Sequence, residues 1–552
     1  MPIATGTTNL YFNRDTKVFL GQSTGRPISI GSTLVASNAV TSATPHGLTT
    51  GERVIIATGL GTLSGVTLSA LYYAISVTST TFRFATTFAN ALTGSPITVT
   101  GTPSTGVVNA VDSYVSATAV VLSGTAATIT ATHNFQVGDT VAISGVSDNA
   151  SFDLNGVFTV ASISTTVSFT VATAATGTIS NPTTIRIARE NLWEIPVLSG
   201  YSASQGTETA EITLNEMTNA VGVSRRGRQM FNTALSPTEW SFDTYVRPYK
   251  NTNQYCIEEP LWANLVSKNY STVTGAGNTQ TTTWASGVTR GTNDLVFDFA
   301  GSNSVVLGTI NLYYVMGANR AADRNYIGGT DGGTTTIYKV TDGVINEVSI
   351  SFEIDGISTV SWSGMGSSLA ELGSMYAVNA GIMGTTSSSN FIRNRLTALT
   401  AVSTLPTSTT YGITLTGGQI TISNNISYLT PEVLGIVNKP LGHVTGTRTV
   451  GGNFTCYLDE ATNGSIDLFQ NLAEKGNTTV TNSFALDFYV GGGGNNLPTA
   501  PGVQFKFPQA HLEVPNINFD DVISTEVNFH ALPSTISGTD EVGAIRYVGQ
   551  TL

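Results

Sequence analysis

The sequence predicts a mainly β protein assembled from repeated units, and three observations lead there. Charged residues make up 11% of the 552 positions, against about 25% in an ordinary soluble domain, and Ser, Thr, Gly and Ala fill the difference. That mixture is poor in strong helix formers and rich in strands and turns. A strand-then-helix pattern also occurs twice: Trp240-Ser-Phe-Asp-Thr-Tyr245 before Leu261-Trp-Ala-Asn-Leu265, and Asn453-Phe-Thr-Cys-Tyr457 before Leu468-Phe-Gln-Asn-Leu472. A separate, smaller repeat occupies the first third. Repeats of this kind set the architecture before any local reading does. The expected chain is mainly β, with one large domain copied in tandem, each copy carrying a strand followed by a short helix, plus two small inserted all-β modules.

Taken in order, residues 7–30 read as a strand-rich arm, with Leu10, Phe12, Val18 and Leu20 alternating around a turn at Asn13-Arg14-Asp15. The composition then shifts to Ser, Thr, Ala and Gly until about residue 182. Here His46-x-Leu48-x-x-Gly51-Glu52-x-Val54-x-Ile56 is echoed by His133-x-Phe135-x-x-Gly138-Asp139-x-Val141-x-Ile143. Ser79-Thr-Thr-Phe82-Arg-Phe84 is echoed by Ser164-Thr-Thr-Val167-Ser-Phe169. The offsets, 87 and 85, differ by two and so preserve strand parity. Gly-acidic marks a tight turn, and Val-x-Ile marks the inward face of the next strand. Asn155-Gly156 is a hairpin signal. Both histidines are expected to start a turn and bond backbone rather than hold a ligand.

From residue 183 the aliphatic alternation of the arm resumes at Ile185-Arg-Ile187 and Trp193-Glu-Ile195-Pro-Val197, so the modules read as an insertion into the first domain. Thr207–Glu216 is a strand whose acidic residues Glu208, Glu211 and Glu216 do not share one face, which makes a poor catalytic pair. Pro260 suits the first turn of a helix, and Glu258 and Glu259 favour its dipole. Leu261, Trp262 and Leu265 give that helix one apolar face. In the second copy Asn463 or Ser465 is the expected cap, and Leu468, Phe469 and Leu472 repeat the face. Long strands follow at Val306–Val315 and Ser483–Val490, each running into a Gly-rich loop (Gly328 to Gly333; Gly491 to Gly494). Neither loop is followed by a helix or by Gly-Lys-Ser/Thr, so they are hairpin tips rather than phosphate cradles. The closing strands are expected at Val344–Phe352 and Val522–Phe529. A short helix is expected at Asn390–Thr400, within the Ser/Thr/Gly/Met-rich connection.

The net charge of −12 argues against nucleic-acid binding through a basic surface. Arg225-Arg226-Gly227-Arg228 is the densest cationic stretch, and a loop contact to a neighbouring subunit explains it as well as a ligand does. Cys256 and Cys456, two thiols in the whole chain, are no disulfide framework and read as buried apolar residues. The first residues lack a charged n-region and an apolar h-region, so no signal peptide is expected. No apolar run reaches a membrane-spanning length. Catalytic, cofactor and metal residues are all expected to be absent.

Certain segments resemble the tail tube (major tail) proteins of tailed bacteriophages: Ser236-Pro-Thr-Glu-Trp-Ser-Phe-Asp-Thr-Tyr-Val-Arg-Pro248, Phe352-Glu-Ile-Asp-Gly-Ile-Ser-Thr-Val-Ser-Trp-Ser-Gly364, and Pro508-Gln-Ala-His-Leu-Glu-Val-Pro515 followed by Asp520-Asp-Val-Ile. The likeness covers 1–30 and 183–552. It implies a structural virion protein, assembled in the host cytoplasm, whose subunits join sheets edge to edge into stacked rings. The tube so formed conducts DNA without binding it specifically and meets tape measure, terminator and baseplate or tip proteins. By that likeness residues 1–32 with 183–365 form a first tube domain and 391–552 a second, each a tube-type β-sandwich or barrel with a short flanking helix, joined by a linker at 366–390. The inserted modules span 33–106 and 107–182. Two tube domains per chain imply a homotrimeric, pseudo-hexameric ring. Departures from the family pattern are the N-terminal insertion and the doubled size.

The alternative is a virion adhesin or carbohydrate-binding tail fibre, supported by the Thr/Ser-rich modules and by aromatics expected at the surface, Tyr72 and Tyr73. Against it, no stalk repeat or heptad pattern is visible. A glycan hydrolase needs paired carboxylates in a cleft. Adjacent Asp520 and Asp521 point to opposite faces if extended. A serine hydrolase needs Gly-x-Ser-x-Gly at a strand-to-helix turn, and Gly21-Gln-Ser23-Thr-Gly25, which has that spelling, falls within the strand-rich arm.

Overall fold

The computed structural model describes residues 16–548 except for internal stretches, the longest of which are 147–153, 213–228, 249–255, 275–280, 300–306, 318–335, 377–390, 431–439 and 492–500. The expected turn at Asn13-Arg14-Asp15, the Gly-rich tips, Arg225 to Arg228 and Asp520-Asp521 therefore lie outside the described residues.

Two long strands carry the inserted segment. Strand β1 (Thr16–Val35) begins in the sheet of the first large unit and ends in a small β unit. Its Arg26–Ile30 stretch pairs with β4 (Gly106–Ala110), and β4 pairs with β2 (Arg53–Thr58), beside β3 (Leu71–Thr78). Ile28 and Ile30 join Val54, Ile56, Phe82 and Phe84 in one closed core. A short helix, α1 (Phe88–Leu92), packs on β3. In the second small unit, β5 (Thr140–Ser144) lies between β6 (Gly156–Ser164) and β7 (Arg186–Ile195). Val141, Ile143, Phe158, Phe169 and Ile187 close a separate core there. Strand β7 then runs back to pair with β1, Val18 opposite Ile195. Gly25 sits at the bulge where β1 changes partners, with φ +75° and Ala110 carbonyl where a Cβ would go. A side chain there would block the handover.

The small repeat is repeated in detail. Leu48 N–H donates to His46 Nδ1 at 2.9 Å, and Phe135 N–H to His133 Nδ1 at 3.1 Å. Thr49 N–H donates to Glu52 at 3.0 Å, and Gln136 N–H to Asp139 at 2.7 Å. Gly51 and Gly138 both take positive φ. Two expectations are corrected in this region. Tyr72 is not at the surface: it stands opposite Val54, its ring 5.6 Å from Phe84, and its hydroxyl accepts from Thr67 N–H at 2.8 Å. Asn155-Gly156 is not a two-residue hairpin tip. Gly156 already pairs with Ile143, and Asn155 closes a longer loop by bonding both Val146 N–H and Val146 carbonyl at 2.8 Å.

The first large unit contains β8 (Ser202–Ile212), β9 (Gln229–Tyr245), α2 (Glu259–Val266), β10 (Asp294–Phe297), β11 (Ile310–Met316), β12 (Thr336–Glu353), β13 (Thr359–Gly366) and β14 (Ser368–Leu372). One sheet has the order β8–β9–β13–β12, the other β7–β1–β11–β12–β14. Strand β12 belongs to both, bending at Asp342, which has φ +50°.

The second large unit contains β15 (Ala398–Ser403), β16 (Thr409–Ile413), β17 (Leu415–Ser423), β18 (Thr449–Tyr457), α3 (Ser465–Thr478), β19 (Phe484–Gly491), β20 (Gly502–Leu512), β21 (Asn516–Asn518), β22 (Ser524–Ala531) and β23 (Ala544–Val548). Its orders, β17–β18–β22–β21 and β16–β15–β19–β20–β23, repeat those of the first.

Further expectations are corrected in the two large units. The segment Val522–Phe529, of which 522 lies outside the described residues, corresponds to β13 and not to Val344–Phe352. The counterpart of Val344–Phe352 is the end of β20 with β21. The helix expected at Asn390–Thr400 is not formed where the chain is described: Ala398 starts a strand, because Leu399 and Ala401 alternate into the core between β16 and β19. Helix α2 does not present one apolar face, since all eight of its residues are buried. In α3, Leu468 and Leu472 are buried while Phe469 is only partly so. Neither Asn463 nor Ser465 caps α3 as expected: Ser465 is its first residue, and its hydroxyl donates to Tyr457 carbonyl at 2.8 Å.

Candidate functional site

Among the described residues, the histidines, cysteines and acidic residues singled out in the sequence each have a local setting in the fold. His46 Nε2 lies 2.8 Å from Thr78 carbonyl. Both cysteines are buried free thiols, and burial pushes the Cys456 thiol up to about 12. Glu208 and Glu211 are exposed on β8. Among the described residues no three His, Cys, Asp or Glu side chains come together.

What the fold does concentrate is strand-edge chemistry. The two large units are joined through β12 and β17, antiparallel, with seven residue pairs from Glu347–Ser423 to Glu353–Gly417. Val348, Ile350 and Phe352 face inward with Ile420 and Ile422, all buried. Gly418 leaves room for the Phe352 ring, which a Cβ would touch at 2.9 Å. On the outer face Gln419 donates to Ser349 at 2.5 Å. Asn346 seals the end of the joint, accepting Ile426 N–H on its side chain and Asn424 N–H on its carbonyl, both at 2.8 Å. A second joint pairs β10 with β23, where Arg546 donates to Asp294 at 2.6 Å.

One sheet therefore runs β8–β9–β13–β12–β17–β18–β22–β21 through both units. Among the described residues no strand pairs with the outer edge of β8 or of β21. The partly exposed Ala203 and Gln205 of β8, with Tyr201 just before it, contrast with the buried Ile420 and Ile422 of β17. Superposing the ladders on Phe242 and Phe454 places Ser202, Ala203 and Ser204 on Gln419, Ile420 and Thr421. The same superposition places Ser349, Ile350 and Ser351 on Asn516, Ile517 and Asn518. Each open edge is thus the counterpart of an edge used inside the chain. Unpaired edges of this kind recruit further strands.

The face of this sheet turned from the core carries Glu239, Asp243, Glu347 and Glu526 among Ser241, Ser349, Ser361, Ser363, Gln419 and Asn453, with no Lys or Arg on the described stretches that pair within it; Lys339 of β12 lies before the bend, in the other sheet. Sequence reasoning had found the strands but not the edges, since edge status depends on which strand pairs with which. The signal lay in the inward positions of β8, where Ala203 and Gln205 stand in the place of isoleucines.

No family model matches the chain. The tail tube protein pb6 of Escherichia phage T5 is 30% identical to it over 366 residues, which cover 64% of this chain and 70% of that protein.

Proposed function

Because the chain belongs to the tail tube proteins of tailed bacteriophages, a structural component of the virion tail, we propose that three copies close into a pseudo-hexameric ring and that rings stack into the tube. The observation that carries this reading is the correspondence between the used and the open edges. If the joint between chains copies the joint within a chain, Ile517 of one copy lies opposite Ala203 of the next, Asn516 opposite Ser204 and Asn518 opposite Ser202. A heterologous contact that closes by rotation makes a ring and leaves no edge exposed. The tube domains are 1–32 with 183–365 and 391–552, the first extended by β14 into the 366–390 linker, and the modules are 33–106 and 107–182, with Arg26–Ile30 and Ile187 shared between module and tube domain. The acidic, hydroxyl-rich face of the joined sheet lines the lumen, where its lack of Lys and Arg lets DNA phosphates pass unheld.

Stacking uses the arms that leave this sheet. Beyond Gln205, β8 and β9 continue as a two-stranded ribbon with Met230 and Phe231 exposed. The second unit has a matching ribbon, Ile426–Leu429 with Gly442–Thr445, where Leu429 and Val444 are exposed. These apolar tips contact the neighbouring ring, and the ends of the stack meet other tail proteins.

Paired cysteines test the ring. In Ser204→Cys/Asn516→Cys, oxidation is expected to give covalent species of up to three chains on a denaturing gel, because residues directly opposite across antiparallel strands approach within disulfide reach. A ladder continuing to six, or no crosslink in assembled tubes, rejects the arrangement. Replacing 33–182 with a short linker is expected to leave tubes that are thinner in electron micrographs but intact, since most of each module's core lies within that stretch, Ile28, Ile30, Ile185 and Ile187 excepted. Loss of tubes from a folded deletion protein would place the modules in the wall.

A further inference from the structure

Where the two small units meet the first large unit, a cavity of about 270 Å³ opens between β5, β6, β7 and β12. Its lining includes a carboxylate that the fold goes to some length to bury. Glu190 is 1% exposed. Its Oε1 accepts from Asn311 Nδ2 at 2.9 Å and from the Tyr313 hydroxyl at 3.0 Å. Gly21 makes room for it, because a Cβ there would collide with Oε1 and with the Tyr313 ring. Oε2 is buried with no hydrogen-bond partner among the described residues. A buried carboxylate oxygen without a donor is costly, so the site is built for a donor that arrives from outside.

The rest of the lining narrows what that donor is. Arg186 is exposed, its guanidinium 3.9 Å over the Tyr114 ring, and Lys339 holds its ammonium 5.4 Å from the Tyr313 ring centre. With two cations on the cavity, an incoming ammonium meets repulsion while a neutral hydroxyl does not. The same two cations attract an anionic group on the same ligand, and the planar guanidinium matches a carboxylate. Ser144 adds a hydroxyl, and Val157 offers an apolar patch to a ring's C–H face. We propose that this cavity binds an acidic sugar residue, with a ring hydroxyl donating to Glu190 Oε2 and the sugar carboxylate held by Arg186 and Lys339. The volume suits a single pyranose, just below the range of sites for larger ligands.

The test uses assembled tubes of the full chain, titrated with sodium glucuronate, glucose and a short glucuronan by calorimetry and saturation-transfer NMR. Saturable glucuronate binding is expected, with glucose roughly tenfold weaker or worse. Glu190→Gln is expected to weaken glucuronate binding by roughly tenfold or more. Arg186→Gln, a surface change that leaves the core untouched, is expected to erase the preference for glucuronate over glucose while tubes still form. Glucuronan competing through its terminal residue supports a polysaccharide source, and glucuronate binding without glucuronan binding supports the free sugar acid. The proposal is overturned if glucuronate does not bind saturably, if glucose binds equally well, or if Glu190→Gln binds as the parent does.

Discussion

Trp262→Ala is expected to lower the stability of the whole chain by about 3–5 kcal/mol, and to loosen the two large units from each other as it does so. Trp262 is fully buried in α2. Its ring lies 4.8 Å from Trp362 and 6.2 Å from Phe297 in the first unit, and 6.3 Å from Phe505 and 6.4 Å from Tyr547 in the second. Its indole N–H donates to the Tyr547 hydroxyl at 2.8 Å. Truncation removes the largest side chain at the seam and leaves a buried hydroxyl without its donor. Trp262→Phe separates the two effects: it keeps most of the ring volume and is expected to cost about 1–3 kcal/mol through the lost bond. Phe469→Ala, at the matching place in α3, is expected to cost clearly less, because Phe469 is only partly buried. Urea denaturation of the unassembled chain measures all three. Equal losses at Trp262 and Phe469 would show that the seam does not depend on α2.

This asymmetry marks how far the sequence could be read. The Leu-aromatic-x-Asn-Leu repeat identified both helices, because helical spacing is a local property. It was silent on enclosure, which comes from β10 and β23 closing over α2, strands drawn from positions 294 and 544. The small repeat was legible almost to the atom, since His46, Glu52 and their counterparts His133 and Asp139 act on backbone two or three residues away. The closing strands were mismatched for the opposite reason. Val344–Phe352 and 522–529 share an alternating pattern, and only the ladders tell which one neighbours β9 or β18. The open edges of β8 and β21, which carry the functional reading, are likewise properties of the sheet and not of any segment.

Glu258 gives the second large effect, through pH. It is fully buried just before α2, and burial pushes its carboxyl up to about 7 from an ordinary 4.5, opposed in part by backbone N–H groups and by Arg247. Oε1 accepts from Arg247 N–H at 3.3 Å, while Oε2 has no partner among the described residues. The folded state therefore binds this proton more tightly than the unfolded chain does. Its stabilising contribution is fully present below pH 4.5 and is lost as pH rises towards 7, by roughly 3 kcal/mol in all. Burial raises Glu190 and Glu259 in the same direction, so the trend belongs to the unit and Glu258 supplies a separable part of it. Glu258→Gln keeps an acceptor for Arg247 N–H and cannot ionise. Its melting temperature is expected to match the parent's near pH 4.5 and to exceed it by several degrees at pH 8. Parallel melting curves for the two proteins from pH 4.5 to 8 would mean that Glu258 ionises in the fold as readily as in the unfolded chain. Helix α2 would then sit in a wetter environment than its eight buried residues describe.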